Sequence, residues 1–226
     1  MSSKNKLQRF AENETFGNMF QYSYEEAKKG VPLKGKWASE FFQNDHPIVL
    51  ELGCGKGEYT VGLAQQNPDK NYIGLDIKGA RIWRGLKTAN EKNLKNVAFV
   101  RTRINLIEYY FGPDEVSEIW ITFPDPHPRE TKERKRLTSP QFLERYRKLV
   151  RKDGIVHLKT DNIIVFDYTL EVIREEGLEL LFSSEDVYGD ELDNEVTRIQ
   201  TFYEKKWLEH GTKIKYLKFR LNRHER

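Results

Sequence analysis

Short apolar runs alternate with longer amphipathic stretches from residue 46 onward. The runs have the length and composition of strands, and helical periodicity follows each of them. The predicted strands are Ile48–Leu52, Tyr72–Asp76, Val97–Arg101, Glu118–Phe123 and Gly154–Lys159. Repeated strand–helix units are typical of a mostly parallel sheet with helices on both faces. The pattern therefore predicts a doubly wound α/β domain.

The two ends of the chain depart from this pattern. Residues 1–45 are polar and weakly periodic, and several glycines and a proline interrupt them, so we expect a partly ordered N-terminal arm before a domain at 46–226. Near the other end, Thr197–Lys206 and Lys213–Leu221 alternate in strand fashion around His210 and Gly211. This alternation predicts a C-terminal antiparallel β-hairpin at the sheet edge.

Composition narrows the class of protein. The 226 residues are 38% hydrophobic, which is enough for one sizeable core. A single cysteine, Cys54, excludes an internal disulfide and a thiolate metal cluster, so we expect no metal. No apolar run is long enough to cross a bilayer, and the start does not resemble a signal peptide. We expect a soluble, cytoplasmic protein without a membrane partner or an obligatory protein partner.

Positive charge is clustered although the formal net charge is only +3. The clusters are Lys4 to Arg9, Arg129 to Arg136, Arg145 to Lys152 and Lys213 to Arg223. Any one cluster is typical of a solvated surface. Four such clusters in one chain favour a polyanionic partner.

A glycine turn follows the first predicted strand. Gly53-Cys54-Gly55-Lys56-Gly57 leads directly into a predicted helix at Glu58–Gln66, with Glu51 just before the turn. Glycines let a ligand approach the backbone closely. Dinucleotide-binding folds use the longer spacing GxGxxG. A carboxylate beside the turn would repel a pyrophosphate but suits the cationic sulfonium and amino group of S-adenosylmethionine, and the stretch resembles motif I of class I methyltransferases.

Further carboxylates end the later strands. Asp76 ends the second strand, where a carboxylate can accept both ribose hydroxyls of an adenosine, in NAD and S-adenosylmethionine alike; the alternative is a helix cap. Asp125 follows the fourth strand between two prolines, where the alternative is a rigid solvent loop. Asp161 follows the fifth strand. Ligands of open α/β sheets bind at the carboxyl ends of strands, so we expect these carboxylates at a site.

Three motifs that follow ELGCGKGEY in the sequence, taken together with it, resemble the bacterial tRNA (guanine-N7-)-methyltransferases. The resemblance extends from Ile48 to the C-terminus. They are FPDPHPRETKERKRL, HLKTDN and TRIQTFYEKKWLEHG. The resemblance implies a Rossmann-like class I methyltransferase fold and methyl transfer from S-adenosylmethionine to N7 of guanosine 46 in the tRNA variable loop. The implied cofactor-binding residues are Glu51, Gly53, Gly55, Asp76, Asn105 and Asp125, with Arg103 as an alternative to Asn105.

The same resemblance implies a substrate site and a catalytic residue. Asp125 would be catalytic. The implied substrate-binding residues are Arg129, Asp161, Thr201, Phe202, Tyr203 and Glu204. The sequence departs from the family at two places, where His127 replaces the usual tryptophan and Arg129 replaces the usual lysine.

The chemistry of guanine N7 agrees with a pocket rich in carboxylates. N7 has an in-plane lone pair and no proton at neutral pH, so transfer needs alignment more than a general base. Asp125 and Asp161 would stabilise the cationic product ring. Three alternatives stay open at this point: a methyltransferase for another RNA or a small molecule, a nicotinamide-binding oxidoreductase, and a non-catalytic nucleotide-binding module.

Overall fold

The computed structural model describes residues 3–221, so Arg223, at the end of the C-terminal basic cluster, lies outside the described residues. The chain divides into two compact units, residues 1–112 and 113–226. No helix in the described range is long and apolar enough to cross a membrane.

Among the residues that the structure describes, the first unit contains four α-helices and four strands. In chain order these are α1 (Ser3–Asn13), β1 (Met19–Gln21), α2 (Tyr24–Lys29), β2 (Ile48–Leu52), α3 (Glu58–Gln66), β3 (Asn71–Asp76), α4 (Gly79–Glu91) and β4 (Val97–Arg101). A π-helical turn spans Trp37–Phe42, and a 3-10 helix spans Ile104–Tyr109. The strands are all parallel, in the order β1-β4-β3-β2. Every residue of β2 and β3 is buried, as expected for parallel strands covered on both faces.

The N-terminal segment contributes to this unit. Strand β1 pairs with β4, and α1 packs against α4. The Arg9 guanidinium lies 4.3 Å from the Trp83 ring centroid, and Trp83 Nε1 donates to Glu12 Oε2 at 2.7 Å. Asn13 Nδ2 donates to Gly79 O at 2.9 Å. A domain boundary at residue 45 stays a prediction.

The second unit contains the remaining strands and helices. In chain order these are β5 (Val116–Thr122), α5 (Pro140–Arg147), β6 (Val150–Thr160), α6 (Ile163–Glu175), β7 (Glu179–Ser184), α7 (Glu195–Arg198), α8 (Phe202–Glu209) and β8 (Lys215–Arg220), with a 3-10 helix at Glu130–Lys135. The strand order is β5-β6-β8-β7. Strands β5 and β6 are parallel, whereas β8 is antiparallel to both β6 and β7.

An antiparallel C-terminal strand pair is present, as predicted, but it is not the predicted hairpin, because one of its two strands is a different segment. Strand β8 pairs with β7, at Glu179–Ser184. The segment 197–206, predicted as a strand, instead contributes to helices α7 and α8. Local hydrogen bonds explain the difference, because Asn194 caps α7 and Thr201 caps α8. Each cap satisfies backbone N–H groups that a strand would have paired with a neighbouring strand.

The other predicted strands are confirmed, with ends that shift by up to four residues. Strands β2 and β4 have the predicted limits, and so does helix α3. Strand β6 begins at Val150 rather than Gly154. The carboxyl ends of β2, β3 and β4 in the first unit, and of β5 and β6 in the second, carry the predicted site residues.

Candidate active site

The glycine turn after β2 is held by strand β3. Gly53 N and Cys54 N both donate to Leu75 O, at 2.8 and 2.9 Å. Gly57 N donates to Cys54 O at 2.7 Å, immediately before α3 begins. The turn is therefore fixed at the carboxyl end of β3, at the amino end of a helix, where backbone N–H groups favour polar ligands.

Two glycines of the turn leave room for a ligand. Gly53 and Gly55 have φ angles of 75° and 56°, which glycine adopts without strain. A Cβ on Gly53 would meet no described atom within 4 Å, and one on Gly55 would meet only Gly53 O, at 3.9 Å. In contrast, a Cβ on Gly57 would lie 2.6 Å from the Phe99 ring, so packing requires that glycine. The open side at Gly53 and Gly55 fits a ligand that lies against the backbone.

Glu51 and Asp76 are buried carboxylates beside this turn. Glu51 Oε2 accepts a hydrogen bond from Thr60 N at 2.7 Å and another from the Thr60 hydroxyl. The two oxygens of Asp76 accept from Gly55 N at 2.9 Å and from Lys78 N at 2.7 Å. Both carboxylates thus shape the turn, and their contacts with a cofactor stay a prediction.

Cys54 lies in the turn as a buried thiol. Burial raises the pKa of Cys54 well above its usual value, and the negative charges of Glu51 and Asp76 raise it further. A nucleophilic cysteine needs a lowered pKa, so this thiol is suited to packing and not to catalysis. Within residues 3–221, no three Cys, His, Asp or Glu side chains are arranged to hold a metal ion.

A pocket of about 690 Å³ opens beside the carboxyl ends of β3 and β4. Its lining includes Ile77, Thr102, Arg103, Asn105 and residues 21–24 of the N-terminal segment. Arg103 and Asn105, the two candidates for the adenine contact, are both exposed and both line this pocket. The adenine contact assigned to Asn105 therefore stays a prediction.

Asp125 lies in a loop with an unusual backbone after β5. Phe123 and His127, two residues to either side, have φ angles of 49° and 43°. This left-handed region costs a non-glycine residue roughly 1–3 kcal/mol, and such residues cluster at active sites. Phe123 N donates to Lys159 O at 2.8 Å, which fixes the start of the loop to β6. Asp125 itself is exposed.

Asp161 lies between the end of β6 and the start of α6. Thr160 Oγ1 accepts a hydrogen bond from Asn162 N at 3.1 Å, and Asn162 Oδ1 accepts one from Ile164 N at 3.0 Å. These bonds fix the backbone on both sides of Asp161. Burial raises the pKa of Asp161 above its usual value, while the positive charge of Lys215 lowers it in part.

Thr201 to Glu204 form the start of helix α8. Thr201 Oγ1 accepts from Glu204 N at 3.2 Å, and Glu204 Oε2 accepts from Thr201 N at 3.3 Å, which together make a capping box. Phe202 and Tyr203 are 56% and 50% exposed, whereas Glu204 has no exposed surface. The two aromatic rings therefore face solvent while the carboxylate points inward.

Glu204 forms a buried ion pair with Lys159. Lys159 Nζ lies 2.5 Å from Glu204 Oε1, and neither side chain has exposed surface. Lys159 Nζ also donates to Val196 O and to Ile199 O, the latter at 3.3 Å, and Tyr188 Oη donates to Glu204 Oε1 at 2.7 Å. Burial lowers the pKa of Lys159 to about 8, although Glu204 opposes this shift. In this arrangement Glu204 anchors α8, and its contact with guanine stays a prediction.

Aromatic contacts connect α8 to the Asp125 loop. The ring centroids of Phe123 and Trp207 are 5.1 Å apart, and those of Tyr203 and Trp207 are 6.1 Å apart. Lys159 Nζ lies 5.7 Å from the Phe123 centroid. The structure thus brings the Asp125 loop, the end of β6 and the start of α8 together within residues 113–226.

The basic run after Asp125 divides into exposed and buried side chains. Those exposed are Arg129, Lys132, Arg134 and Lys135. Arg136, which the charge pattern counts among the cations for a polyanionic partner, is only 3% exposed and so differs from the rest of this cluster. Arg147, in the next cluster, is also buried and pairs with Glu176 at 3.0 Å.

Comparison with known proteins gives the family. A family model described as "Putative methyltransferase" matches residues 45–217. The tRNA (guanine-N(7)-)-methyltransferase of Christiangramia forsetii is 58% identical over 223 residues, which are 98% of this chain and 100% of the relative. The chain belongs to the tRNA (guanine-N(7)-)-methyltransferases. A protein of the same name from Bacteroides thetaiotaomicron is 52% identical over 96% of this chain and 86% of its own length. The resemblance inferred from the sequence motifs is thereby confirmed.

Solved structures confirm the predicted Rossmann-like methyltransferase fold. An antibiotic-related methyltransferase matches with a TM-score of 0.61 at 20% identity, covering 86% of this chain and 96% of its own. The 16S rRNA methyltransferase KamB matches with a TM-score of 0.62 at 16% identity, covering 89% and 95%. At these identities the likeness shows the fold alone.

Sequence reasoning missed three residues that shape this methyltransferase site. Lys159 and Tyr188 hold Glu204, and Arg136 contacts the Asp125 loop. The Thr201-x-x-Glu204 spacing is a capping-box signal that the sequence does contain. No sequence signal distinguishes Arg136 from the exposed basic residues next to it, because its burial depends on tertiary packing.

Proposed function

We propose that this protein transfers a methyl group from S-adenosylmethionine to N7 of guanosine 46 in the tRNA variable loop. The observation that carries the proposal is the 58% identity, over the full length of the relative, to a tRNA (guanine-N(7)-)-methyltransferase. The target position follows the family resemblance. Because tRNA is a cytoplasmic molecule in bacteria, the proposal also places the enzyme in the cytoplasm.

The first unit offers residues for the cofactor. S-adenosylmethionine, when bound, supplies an electrophilic methyl group on a sulfonium. Gly53 and Gly55 let it approach the backbone, and Asp76 accepts hydrogen bonds from the ribose hydroxyls. Glu51 contributes a negative charge that attracts the cationic amino acid end. Asn105 lies in the adjacent pocket, where it can face the adenine.

The second unit offers residues for the nucleotide. Phe202 and Tyr203 are exposed and adjacent, and aromatic side chains of this kind stack on unpaired bases. Asp161 in its ionised form accepts hydrogen bonds from guanine N1 and N2, which are the donors on its Watson–Crick edge. Arg129 is exposed near Asp125 in sequence and suits a phosphate contact.

The reaction itself needs orientation and negative charge. Guanine N7 attacks with its own lone pair, so no residue has to remove a proton before transfer. The product ring is cationic, and the carboxylate of Asp125, held in its strained loop, stabilises the charge that develops there. Asp161 adds a second negative charge and fixes the base edge. The expected role of Asp125 is therefore electrostatic, without general-base catalysis.

A tRNA with 7-deazaguanosine at position 46 tests the acceptor atom. Replacing N7 by carbon removes the lone pair but keeps the Watson–Crick edge that Asp161 would read, so we expect nearly native binding and no methyl transfer. The measurement compares labelled methyl incorporation and tRNA affinity for the substituted and natural tRNA. Methylation of the substituted nucleotide at the natural rate would contradict N7 as the acceptor. If the natural tRNA is not methylated either, the proposal that tRNA is the substrate is wrong.

A further inference from the structure

Arg136 is held by its neighbours in a way that is unusual for a residue in a basic run. Its Nε donates to Pro126 O at 3.2 Å, and its Nη2 donates to His127 O at 3.2 Å. Its Nη1 lies 3.1 Å from Glu133 Oε1. The guanidinium also lies over the Tyr168 ring, 4.3 Å from the centroid. With a side chain that is 4% exposed, Arg136 is enclosed on several sides.

The two carbonyl groups to which Arg136 donates belong to Pro126 and His127. These are the two residues immediately after Asp125 in the chain. Pro126 has no N–H group with which to hold the backbone, and His127 has a left-handed φ of 43°. A strained segment persists only where its surroundings determine its conformation. A planar guanidinium can donate to two carbonyl groups at once from a fixed geometry, which the single ammonium of a lysine cannot reproduce.

The backbone of Arg136 is itself fixed. Arg136 N donates to Glu133 O at 2.8 Å, and Ser139 N donates to Arg136 O at 3.0 Å. Ser139 Oγ donates to Arg134 O at 3.2 Å, and Tyr168 belongs to helix α6. The guanidinium therefore links the Asp125 loop to helix α6 of the second unit.

We infer that Arg136 is a positioning residue that holds the loop of Asp125 in place, and that it does not bind tRNA phosphate. The inference rests on the proposed function, in which Asp125 stabilises the charge on the reacting guanine, and on the family resemblance, which implies that Asp125 also binds the methyl donor. Arg136 acts through the Pro126 and His127 carbonyl groups, so its loss changes the position of Asp125 without removing any group from the site.

Kinetics of matched variants test the inference. Arg136→Met should lower kcat about 10- to 100-fold, because small displacements of a reacting group have effects of this size. It should leave the salt dependence of tRNA binding unchanged. Lys135→Met, which removes an exposed neighbouring cation, should flatten that salt dependence. Arg174→Met, on exposed α6 surface, is the control for the substitution itself and should change neither quantity.

Arg136→Lys separates positioning from charge. A phosphate contact would be largely restored by lysine, whereas a clamp on two carbonyl groups would not. We therefore expect Arg136→Lys to keep a kcat well below that of the unmodified protein. Full recovery of kcat by Arg136→Lys, or a flattened salt dependence in Arg136→Met, would overturn the inference. Arg136→Lys also keeps the inference testable if Arg136→Met does not fold.

A binding cycle gives a readout independent of turnover. Calorimetry would measure S-adenosylmethionine affinity for Arg136→Met, Asp125→Asn and the double variant. If Arg136 acts through Asp125, its substitution should weaken binding in the unmodified protein but have little further effect beside Asp125→Asn. Fully additive losses would overturn the inference. Failure of the unmodified protein to methylate tRNA would instead contradict the proposed function, and this cycle would still be measurable.

Discussion

The two carboxylates proposed to face the guanine differ in their access to solvent. Asp125 is exposed, whereas Asp161 is half-buried between β6 and α6. Burial raises the pKa of Asp161. A raised pKa means that this carboxyl takes up a proton at a higher pH than an ordinary aspartate, so its ionised form is lost earlier on acidification.

This difference predicts an acid limb in the pH profile. If ionised Asp161 accepts the guanine N1 and N2 donors, kcat/KM for tRNA should fall as the pH decreases through the raised pKa of Asp161. Asp161→Asn should lower kcat/KM at neutral pH and also remove that limb. Steady-state methylation between about pH 4.5 and 8 would measure both. An unchanged acid limb in Asp161→Asn would assign the titration to another group.

Charged residues of the same type have different roles in this protein. The sequence alone does not distinguish those that lie at the proposed site from those that are buried in ion pairs or hydrogen bonds. Asp125, Asp161 and the glycine turn can be predicted because strand ends and glycine spacing place them by general rules of α/β sheets. Glu204 and Arg136 have the residue types of ligand-binding groups, although both are buried. Their burial arises from partners distant in sequence, such as Lys159 and Tyr168, which local pattern does not reveal.

At the scale of elements, helix α8 presents the aromatic pair. Its capping box involves Thr201 and Glu204, and a second capping box begins α2 at Ser23. We expect Thr201→Ala and Ser23→Ala each to lower the free energy of unfolding by about 1 kcal/mol, because each loses one cap. Only Thr201→Ala should also raise KM for tRNA, since it loosens the helix end that carries Phe202. Denaturation and steady-state kinetics would measure the two effects, and equal KM values in both variants would contradict this role of α8.

The buried ion pair between β6 and α8 gives a second prediction for elements. Lys159→Met leaves the Glu204 carboxylate buried without its cation, which should cost about 3–5 kcal/mol of unfolding free energy. The double variant Lys159→Met/Glu204→Gln removes the uncompensated charge and keeps an acceptor for Tyr188. It should be more stable than Lys159→Met, despite its additional substitution. Urea denaturation would measure this order, and a less stable double variant would contradict it.

The prediction of a strand at 197–206 is wrong because a short segment can match both the two-residue period of a strand and the 3.6-residue period of a helix. Thr197, Ile199 and Thr201 are β-branched and alternate with Arg198 and Gln200, which matches a strand, but so short a segment also fits helical turns. The Thr201-x-x-Glu204 cap determines the outcome, since its hydrogen bonds stabilise a helix start locally. Strand β2, in contrast, is apolar at every position except Glu51, and this run predicts its limits correctly.

At the scale of the whole molecule, charge distribution matters more than net charge. The chain carries 38 basic and 35 acidic residues, so overall attraction to tRNA is weak. The exposed cations after Asp125 are therefore expected to supply much of the local attraction to phosphates. The burial of Arg136 reduces the number of cations available in that run.

Replacing Arg134 and Lys135 together by alanine tests this distribution. We expect the slope of log affinity against log salt for tRNA to decrease in magnitude by about 1.4, roughly 0.7 for each phosphate that is no longer neutralised. The control replaces Lys92 and Lys95, two exposed lysines before the amino end of β4, and should leave the slope unchanged. Filter binding over a range of salt concentrations would measure both slopes. If the slope of the Arg134 and Lys135 variant equals that of the unmodified protein, these residues belong to an ordinary solvated surface.

The buried thiol of Cys54 can report how often the glycine turn opens. Cys54 is the only cysteine of the chain, so a maleimide can label one position alone. Because the thiol is shielded and its pKa is raised, labelling requires a transient opening of the turn. The labelling rate therefore reports how often the turn opens. A methyl donor bound against Gly53 and Gly55 would slow that rate, which makes occupancy visible without any turnover.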